Sequence, residues 1–127
     1  MILFIDSSDY ENTRLAVIGK NIVEHNFAGK NLSEQLLPQI EKFLKKQKTT
    51  LKQIITLAVV IGPGGFSRIR TAVSTTNSLG YALNIPIIGL LKDQVPSDLF
   101  KLGKFRGKKS TLPKYDREPN ITLSQKR

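Results

Sequence analysis

Ile61-Gly62-Pro63-Gly64-Gly65-Phe66-Ser67-Arg68-Ile69-Arg70 joins two unlike halves of an α/β unit. Before it runs Ile54 to Ile61, apolar, rich in β-branched residues and without charge. That pattern predicts a buried strand. After it, Phe66 to Leu83 shows helical spacing. Gly62, Pro63, Gly64 and Gly65 lie between the two, and glycine permits positive φ and close backbone approach, so a sharp strand-to-helix turn is the first reading. The sharper one is an anion cradle of free N–H groups at the helix start. The Gly-Lys-Ser/Thr ending of a P-loop is absent, which favours the structural turn.

The helix that follows is the most informative element. Phe66, Ile69, Val73, Thr76, Gly80 and Leu83 share one face and should pack on a sheet. The opposite face holds Ser67, Thr71, Ser74, Ser78 and Ala82, and no charged residue occurs from Thr71 to Leu91. A helix without a charged side is usually covered on both sides. Either a helix of the same chain covers it or another protein does, and its small residues would let a second helix approach closely. Asn84-Ile85-Pro86 is a stop signal, and Ile87 to Leu91 reads as a further strand.

Upstream, Ile2 to Asp6 reads as a short buried strand, Thr13 to Ile18 as a second and Ile22 to Phe27 as a third, on an edge, after the hairpin signal Gly19-Lys20-Asn21. His25, the one histidine, reads as a surface residue of that edge strand rather than a base. Ser33 offers an N-cap for a helix in which Leu36, Leu37, Ile40, Phe43 and Leu44 fall on one side. Pro38 predicts a bend or a late start there. Downstream, Asp93 to Leu102 reads as a short helix. From Lys104 onward no apolar period is visible, so an extended or disordered tail is expected. Three strands joined by tight turns make an antiparallel meander, and the two later strands follow helical crossovers, so they run parallel to a neighbour. The predicted fold is an α/β domain with a mixed five-stranded sheet over residues 1–103, followed by a basic tail over 104–127.

The bulk properties narrow the function. A chain of 127 residues suggests one domain. With no cysteine there is no disulfide framework, thiol chemistry or usual zinc site. The first six residues reach an acid without a basic n-region, and no apolar run approaches a membrane span, so a cytoplasmic protein without membrane contact is expected. Residues 101–127 hold nine Lys/Arg against two acids, a net +7 of the total +10. Such a tail invites a polyanion such as RNA, with Lys101, Lys104, Arg106, Lys108 and Lys109 as the contacts, or is a solvated extension. No paired carboxylates, Ser/His/Asp set or metal-ligand cluster appears, and no cofactor is expected.

Four segments carry a family resemblance. Ile5-Asp6-Ser7-Ser8 resembles the Ile-Asp-Thr-Ser start of the TsaB (YeaZ) family. Ser33-Glu34-Gln35-Leu36-Leu37-Pro38-Gln39-Ile40 resembles its first helix, proline included. Gly62-Pro63-Gly64-Gly65-Phe66-Ser67-Arg68-Ile69-Arg70 resembles the signature Gly-Pro-Gly-Ser-Phe-Thr-Gly-Leu-Arg, and Gly80-Tyr81-Ala82-Leu83-Asn84-Ile85-Pro86-Ile87-Ile88-Gly89 the segment that follows. Singly these pieces are weak, but in unbroken order over residues 1 to about 92 they are specific.

The resemblance implies a ribonuclease-H-like lobe of the actin-like ATPase superfamily. It also implies a role in making threonylcarbamoyladenosine beside the tRNA anticodon, as a non-catalytic scaffold supporting a metal-containing TsaD-like catalytic subunit. A TsaE-like ATPase and a homodimer on the same surface are further implied partners. The family interface uses the first two helices, which here places Leu36, Leu37, Ile40, Phe43, Leu44, Ser67, Arg70, Thr71, Ser74, Thr75, Ser78 and Ala82 against the partner. Two departures stand out. Arg68 replaces a signature glycine, which predicts a stiffer, more basic loop. The chain also passes almost directly from Leu91 to its tail, so the second lobe is expected to be missing, and Pro113-Lys114-Tyr115-Asp116-Arg117 resembles a motif near the end of full-length relatives, as if an internal segment had been lost. In actin-like ATPases an acid at the end of the first strand helps place metal and phosphates. Without a second lobe, Asp6 is expected to be structural. A homodimeric ATPase or kinase and a basic RNA-binding adaptor are the alternatives.

Overall fold

The computed structural model describes residues 1–114. Five strands, β1 (Ile2–Asp6), β2 (Asn12–Ile18), β3 (Ile22–Ala28), β4 (Thr56–Gly62) and β5 (Ile87–Leu91), form one sheet in the order β3-β2-β1-β4-β5. β1 pairs antiparallel with β2 and β2 with β3, while β1–β4 and β4–β5 are parallel. This is the mixed sheet predicted from the hairpins and crossovers. Helix α1 (Leu32–Lys46) links β3 to β4, and α2 (Phe66–Leu83) links β4 to β5. Short 3-10 turns occupy Leu51–Gln53, Lys92–Gln94 and Leu99–Lys104.

Side chains on a strand alternate between faces, so each buried strand feeds two cores. Leu3 and Ile5 of β1, Leu15 and Val17 of β2, and Leu57 and Val59 of β4 join Leu36, Ile40, Phe43 and Leu44 of α1 and Ile69, Ala72 and Val73 of α2. Phe4, Ala16, Ala58, Val60, Ile88 and Leu90 point the other way and meet Leu99 and Leu102. The two helices therefore share one face of the sheet, and the Leu99–Lys104 turn covers part of the other. Each fully buried Leu, Ile or Phe contributes roughly 1.5–3 kcal/mol relative to exposure.

Local differences from the sequence reading have physical causes. Helix α1 begins at Leu32, ahead of Ser33, with Asn31 in the left-handed region (φ 60°) as its N-cap and no side-chain cap. Leu32 is buried, and burying it draws the first turn one residue earlier than a capping serine would place it. Pro38 lies inside the helix without delaying its start. β4 begins two residues late, at Thr56, because the Ile54 N–H donates to Leu51 O in the preceding turn. The helix expected over Asp93 to Leu102 is instead two 3-10 turns. His25 is half-buried, stacked between Phe27 and Phe43 at centroid distances of 6.0 and 5.6 Å, with Nε2 3.1 Å from Gln39 Oε1. It is a packing residue between β3 and α1.

The chain does not leave the domain at residue 103. Lys108 forms an antiparallel bridge with Ile87, its N–H donating to Ile87 O at 2.7 Å and the Ile87 N–H to Lys108 O at 2.6 Å. The Asn77 amide donates to Thr111 O at 2.9 Å and accepts from the Thr111 N–H at 3.0 Å. The Lys114 N–H donates to Ile61 O at 2.7 Å. Residues 108–114 thus run along β5 and the C-terminal end of β4. Tyr115, Asp116 and Arg117 of the end-motif match lie outside the described residues.

Candidate functional site

Helix α2 carries the site. Its inner face, Ile69, Ala72, Val73, Thr76 and Gly80, is buried. Thr76 Oγ1 donates to Ala72 O at 2.7 Å, so this buried hydroxyl is satisfied within the helix. Its outer face exposes Ser67, Arg70, Ser74, Ser78 and Ala82, with Thr71 and Thr75 half-buried beside α1. Ser67, Arg70, Thr71, Ser74 and Thr75 line a groove of about 350 Å³ that is bounded by Ser33 and Phe66. Phe66, expected on the sheet, is 55% exposed. The first residue of a helix overhangs the strand end, and its ring lies instead under the Arg70 guanidinium, 5.2 Å from the centroid.

On α1 the expected docking set needs correction. Leu36, Ile40, Phe43 and Leu44 are 0–4% exposed and belong to the chain's own core, so they offer nothing to a second protein. Leu37, 40% exposed, is the one member of that set at the surface. The apolar stripe of α1 faces the sheet because β1, β2 and β4 present a matching apolar face, which sequence spacing cannot distinguish from a partner's.

The glycine loop packs on the chain itself. Gly62 has φ 145°, and a Cβ there would come within 1.9 Å of Lys114 O. A Cβ on Gly64 would come within 2.7 Å of Ser8 O. Both positions need glycine for close approach. The Gly62–Pro63 bond is cis. Arg68 ties this end of the sheet together: its guanidinium donates to Ser7 O (3.4 Å), Gly29 O (3.2 Å) and Thr13 Oγ1, and Ser7 Oγ donates back to Arg68 O (3.0 Å). The residue that departs from the signature thus clasps β1, β2 and the end of β3 to α2.

Asp6 is buried at the end of β1. Its Oδ1 accepts from the Ser8 N–H (2.9 Å) and Ser8 Oγ (2.6 Å), and Oδ2 pairs with Lys92 Nζ at 2.5 Å. Burial pushes the carboxyl pKa up, but the Lys92 contact and the two Ser8 hydrogen bonds outweigh it, so the net direction is downward from the usual 3.8. Asp6 is therefore a carboxylate already neutralised by the chain's own cation.

Lys101, Lys104, Arg106, Lys108 and Lys109 are all exposed. Lys108 and Lys109 are brought against the C-terminal end of α2, next to Tyr81, which is 89% exposed. Sequence reasoning missed Lys92, Asn77 and Tyr81. Lys92 is 86 residues from Asp6, and its only signal was a lone cation at the end of a strand parallel to β1. Tyr81 follows Ser74 and Ser78 at helical spacing, which marked it as an outer-face residue. Nothing in the sequence marked Asn77. Among the described residues no helix is long and apolar enough to cross a membrane.

A β3-β2-β1-β4-β5 sheet with both helices on one face is an actin-like, ribonuclease-H-like fold. It superposes on YeaZ from Pseudomonas aeruginosa with a TM-score of 0.66 at 24% identity, over 71% of this chain and 44% of that one. Thermus (T. thermophilus) RuvC, solved with a Holliday junction substrate, shares the fold at a TM-score of 0.50 and 10% identity, over 74% of this chain and 66% of that one. The family model described as TsaD: tRNA N6-adenosine threonylcarbamoyltransferase matches residues 21–92. The "tRNA threonylcarbamoyladenosine biosynthesis protein TsaB" of Buchnera aphidicola subsp. Schizaphis graminum is 35% identical over 92 residues, 71% of this chain and 43% of that protein. The TsaB of the Acyrthosiphon pisum subspecies is 38% identical over 61 residues, 48% of this chain and 28% of that protein. The chain belongs to this family, on its TsaB (YeaZ) side. It spans less than half the length of these TsaB relatives.

Proposed function

We propose that this chain is a non-catalytic subunit of tRNA threonylcarbamoyladenosine synthesis that docks a TsaD-like catalytic subunit through the outer face of α2. The observation that carries this reading is the exposed stripe Ser67, Ser74, Ser78 and Ala82 with the groove beside Thr71 and Thr75. Small side chains allow two helix axes to approach closely, and from Thr71 to Leu83 the helix carries no charge, so covering that part desolvates no ion. Arg70 and Phe66, stacked at the N-terminal end of the stripe, give it a cation and a ring of kinds enriched in protein interfaces. The non-catalytic part rests on Asp6. A carboxylate held by Lys92 and Ser8 is spoken for, and a phosphate-bound metal would have to displace that lysine. We place the work in the cytoplasm, where tRNA modification by the relatives' pathway would require it.

The test is co-purification of the full chain with a TsaD-like protein from the same source, compared with Ser74→Arg and Ser78→Arg. Both serines are exposed, so the variants should fold. Loss of the complex is expected. Retention of it with either arginine in place would place the interface elsewhere, and the same pair read by sedimentation tests whether a homodimer uses this face.

A further inference from the structure

We infer that the C-terminal end of α2 and the segment packed against it form a binding site for a single strand of nucleic acid, with a base on Tyr81 and phosphates on Lys108 and Lys109. A concavity of about 620 Å³ opens there, lined by Gly80, Tyr81, Ile85, Pro86, Lys108 and Lys109, among others. Tyr81 is 89% exposed on its rim. A ring this open on the single chain has the exposure that a stacking platform for a base requires. Ile85 and Pro86 supply apolar wall, and the two lysines supply charge.

The charge is neither balanced nor loose. Residues 101–114 hold six cations, Lys101, Lys104, Arg106, Lys108, Lys109 and Lys114, and no acid. All six are exposed, and none is in an ion pair among the described residues, where the pairs are Arg14–Glu24 and Lys92–Asp6. The backbone that carries Lys108 and Lys109 is fixed by the Ile87 bridge and by the Asn77–Thr111 pair of hydrogen bonds. The cations are thus held beside the ring. The last carbonyls of α2 bear partial negative charge, but Gly80 O and Tyr81 O are already taken by the Ile85 and Asn84 N–H groups. The helix end therefore opposes a phosphate less than free carbonyls would, and the lysines supply the attraction.

The composition argues against the other polyanions. Lysine is depleted in protein–protein interfaces. Anionic membranes are met by amphipathic helices with an apolar face rather than by a concave site with one upright ring. A duplex keeps its bases stacked and cannot offer one to Tyr81, whereas a single strand or loop can. This site lies beyond the groove, beside Ala82 at the C-terminal end of the docking stripe, and its observations do not rest on the docking proposal.

The experiment is fluorescence anisotropy of the full chain with a labelled single-stranded RNA of about 12 nucleotides, within the usual range of single-strand site sizes. Affinity should fall with salt, with log K against log [salt] losing about 0.7 of slope for each phosphate neutralised. Replacing both lysines (Lys108→Ala, Lys109→Ala) should flatten that slope by about 1.4. Tyr81→Ala should weaken binding about tenfold and Tyr81→Phe should restore it, as expected for stacking. All three positions are exposed, so the variants test binding rather than folding. Unchanged affinity in Tyr81→Ala, equal affinity for the same sequence in duplex form, or equal affinity for phosphatidylserine vesicles would overturn the assignment.

Discussion

At the C-terminal end of β1 every buried polar group has a partner inside the chain, while on the outer face of α2 a whole row of hydroxyls is left to water. Asp6, Ser7, Ser8, Thr13 and Arg68 form the first region, knitted across β1, β2, the end of β3 and α2. Ser67, Ser74 and Ser78 form the second. The contrast teaches where each kind of residue acts. The first region spends its polar chemistry on holding the fold. The second adds little to the fold, and under the docking proposal its composition answers to a partner. Helix α1 supplies the control, since its outer face carries Glu34, Glu41, Lys42, Lys45 and Lys46, all exposed, as a helix finished against water does.

The hardest blow to the contrast would come from the clasp. Arg68→Ala removes three side-chain donations at once and strands Thr13 Oγ1, which is on a fully buried residue. Hydrogen bonds from charged groups contribute about 1.5–3 kcal/mol each when well formed. Two of the three are at least 3.2 Å long, so a total loss of about 2–3 kcal/mol is expected in urea unfolding. A loss below about 0.5 kcal/mol, the scale of an ordinary surface substitution, would show that this end is no more self-sufficient than the α2 face.

Next in size is the Asp6–Lys92 pair. The folded carboxyl pKa lies below the unfolded value of about 3.8. The ionised carboxylate therefore stabilises the fold at all pH above that value, and the contribution is lost as pH falls through the lower folded value. Lys92→Met should raise the folded pKa: with the cation gone, burial is opposed by the Ser8 hydrogen bonds alone, so the loss of stability as pH falls through the carboxylate range should shrink. Lys92 is half exposed and partly screened, so the cost at neutral pH is about 1–2 kcal/mol, less than for a fully buried pair. Urea titrations of both proteins at neutral and acid pH decide the matter. Parallel pH profiles would mean that Ser8, rather than Lys92, keeps Asp6 ionised.

An effect of similar size, without a pH dependence, is expected from Asn77→Ala. It removes both hydrogen bonds to Thr111 and should cost about 1–2 kcal/mol, since each is worth roughly 1 kcal/mol net. Amide exchange at Thr111 should rise by more than at Ile69 in the helix core. Equal rises at the two positions would mean that Asn77 supports α2 itself rather than the segment beside it.

How much of this was legible follows from the range of each interaction. Helix α2 begins at Phe66 and ends at Leu83 as read, because its signals are local: glycines before it, and Asn84 taking the left-handed conformation (φ 56°) after it. The sheet order followed from two hairpins and two crossovers. The charge-free face was readable by helical spacing alone. What spacing could not show is contact between distant segments. Arg68 reads as an intruder in a glycine-rich loop, yet its partners Ser7, Thr13 and Gly29 are 39 to 61 residues away. Residues 104–114 lack apolar period because they bind through backbone and through Asn77, which leaves no hydrophobic pattern. The apolar stripe of α1 is legible from spacing, but a stripe does not say whose surface it meets.

The smallest expected change in stability is the most telling for the contrast. Ser74→Arg and Ser78→Arg on α2, and Glu41→Arg on α1, each add positive charge to an exposed helical site. All three should unfold within about 0.5 kcal/mol of the parent, because none disturbs packing or a satisfied buried group. If the α2 face answers only to a partner, the two serine variants should differ from the parent in association alone, and the α1 variant in neither. A serine variant that lost 2 kcal/mol or more, as core damage does, would show that the row of hydroxyls supports the fold after all. The two regions would then differ in degree rather than in purpose.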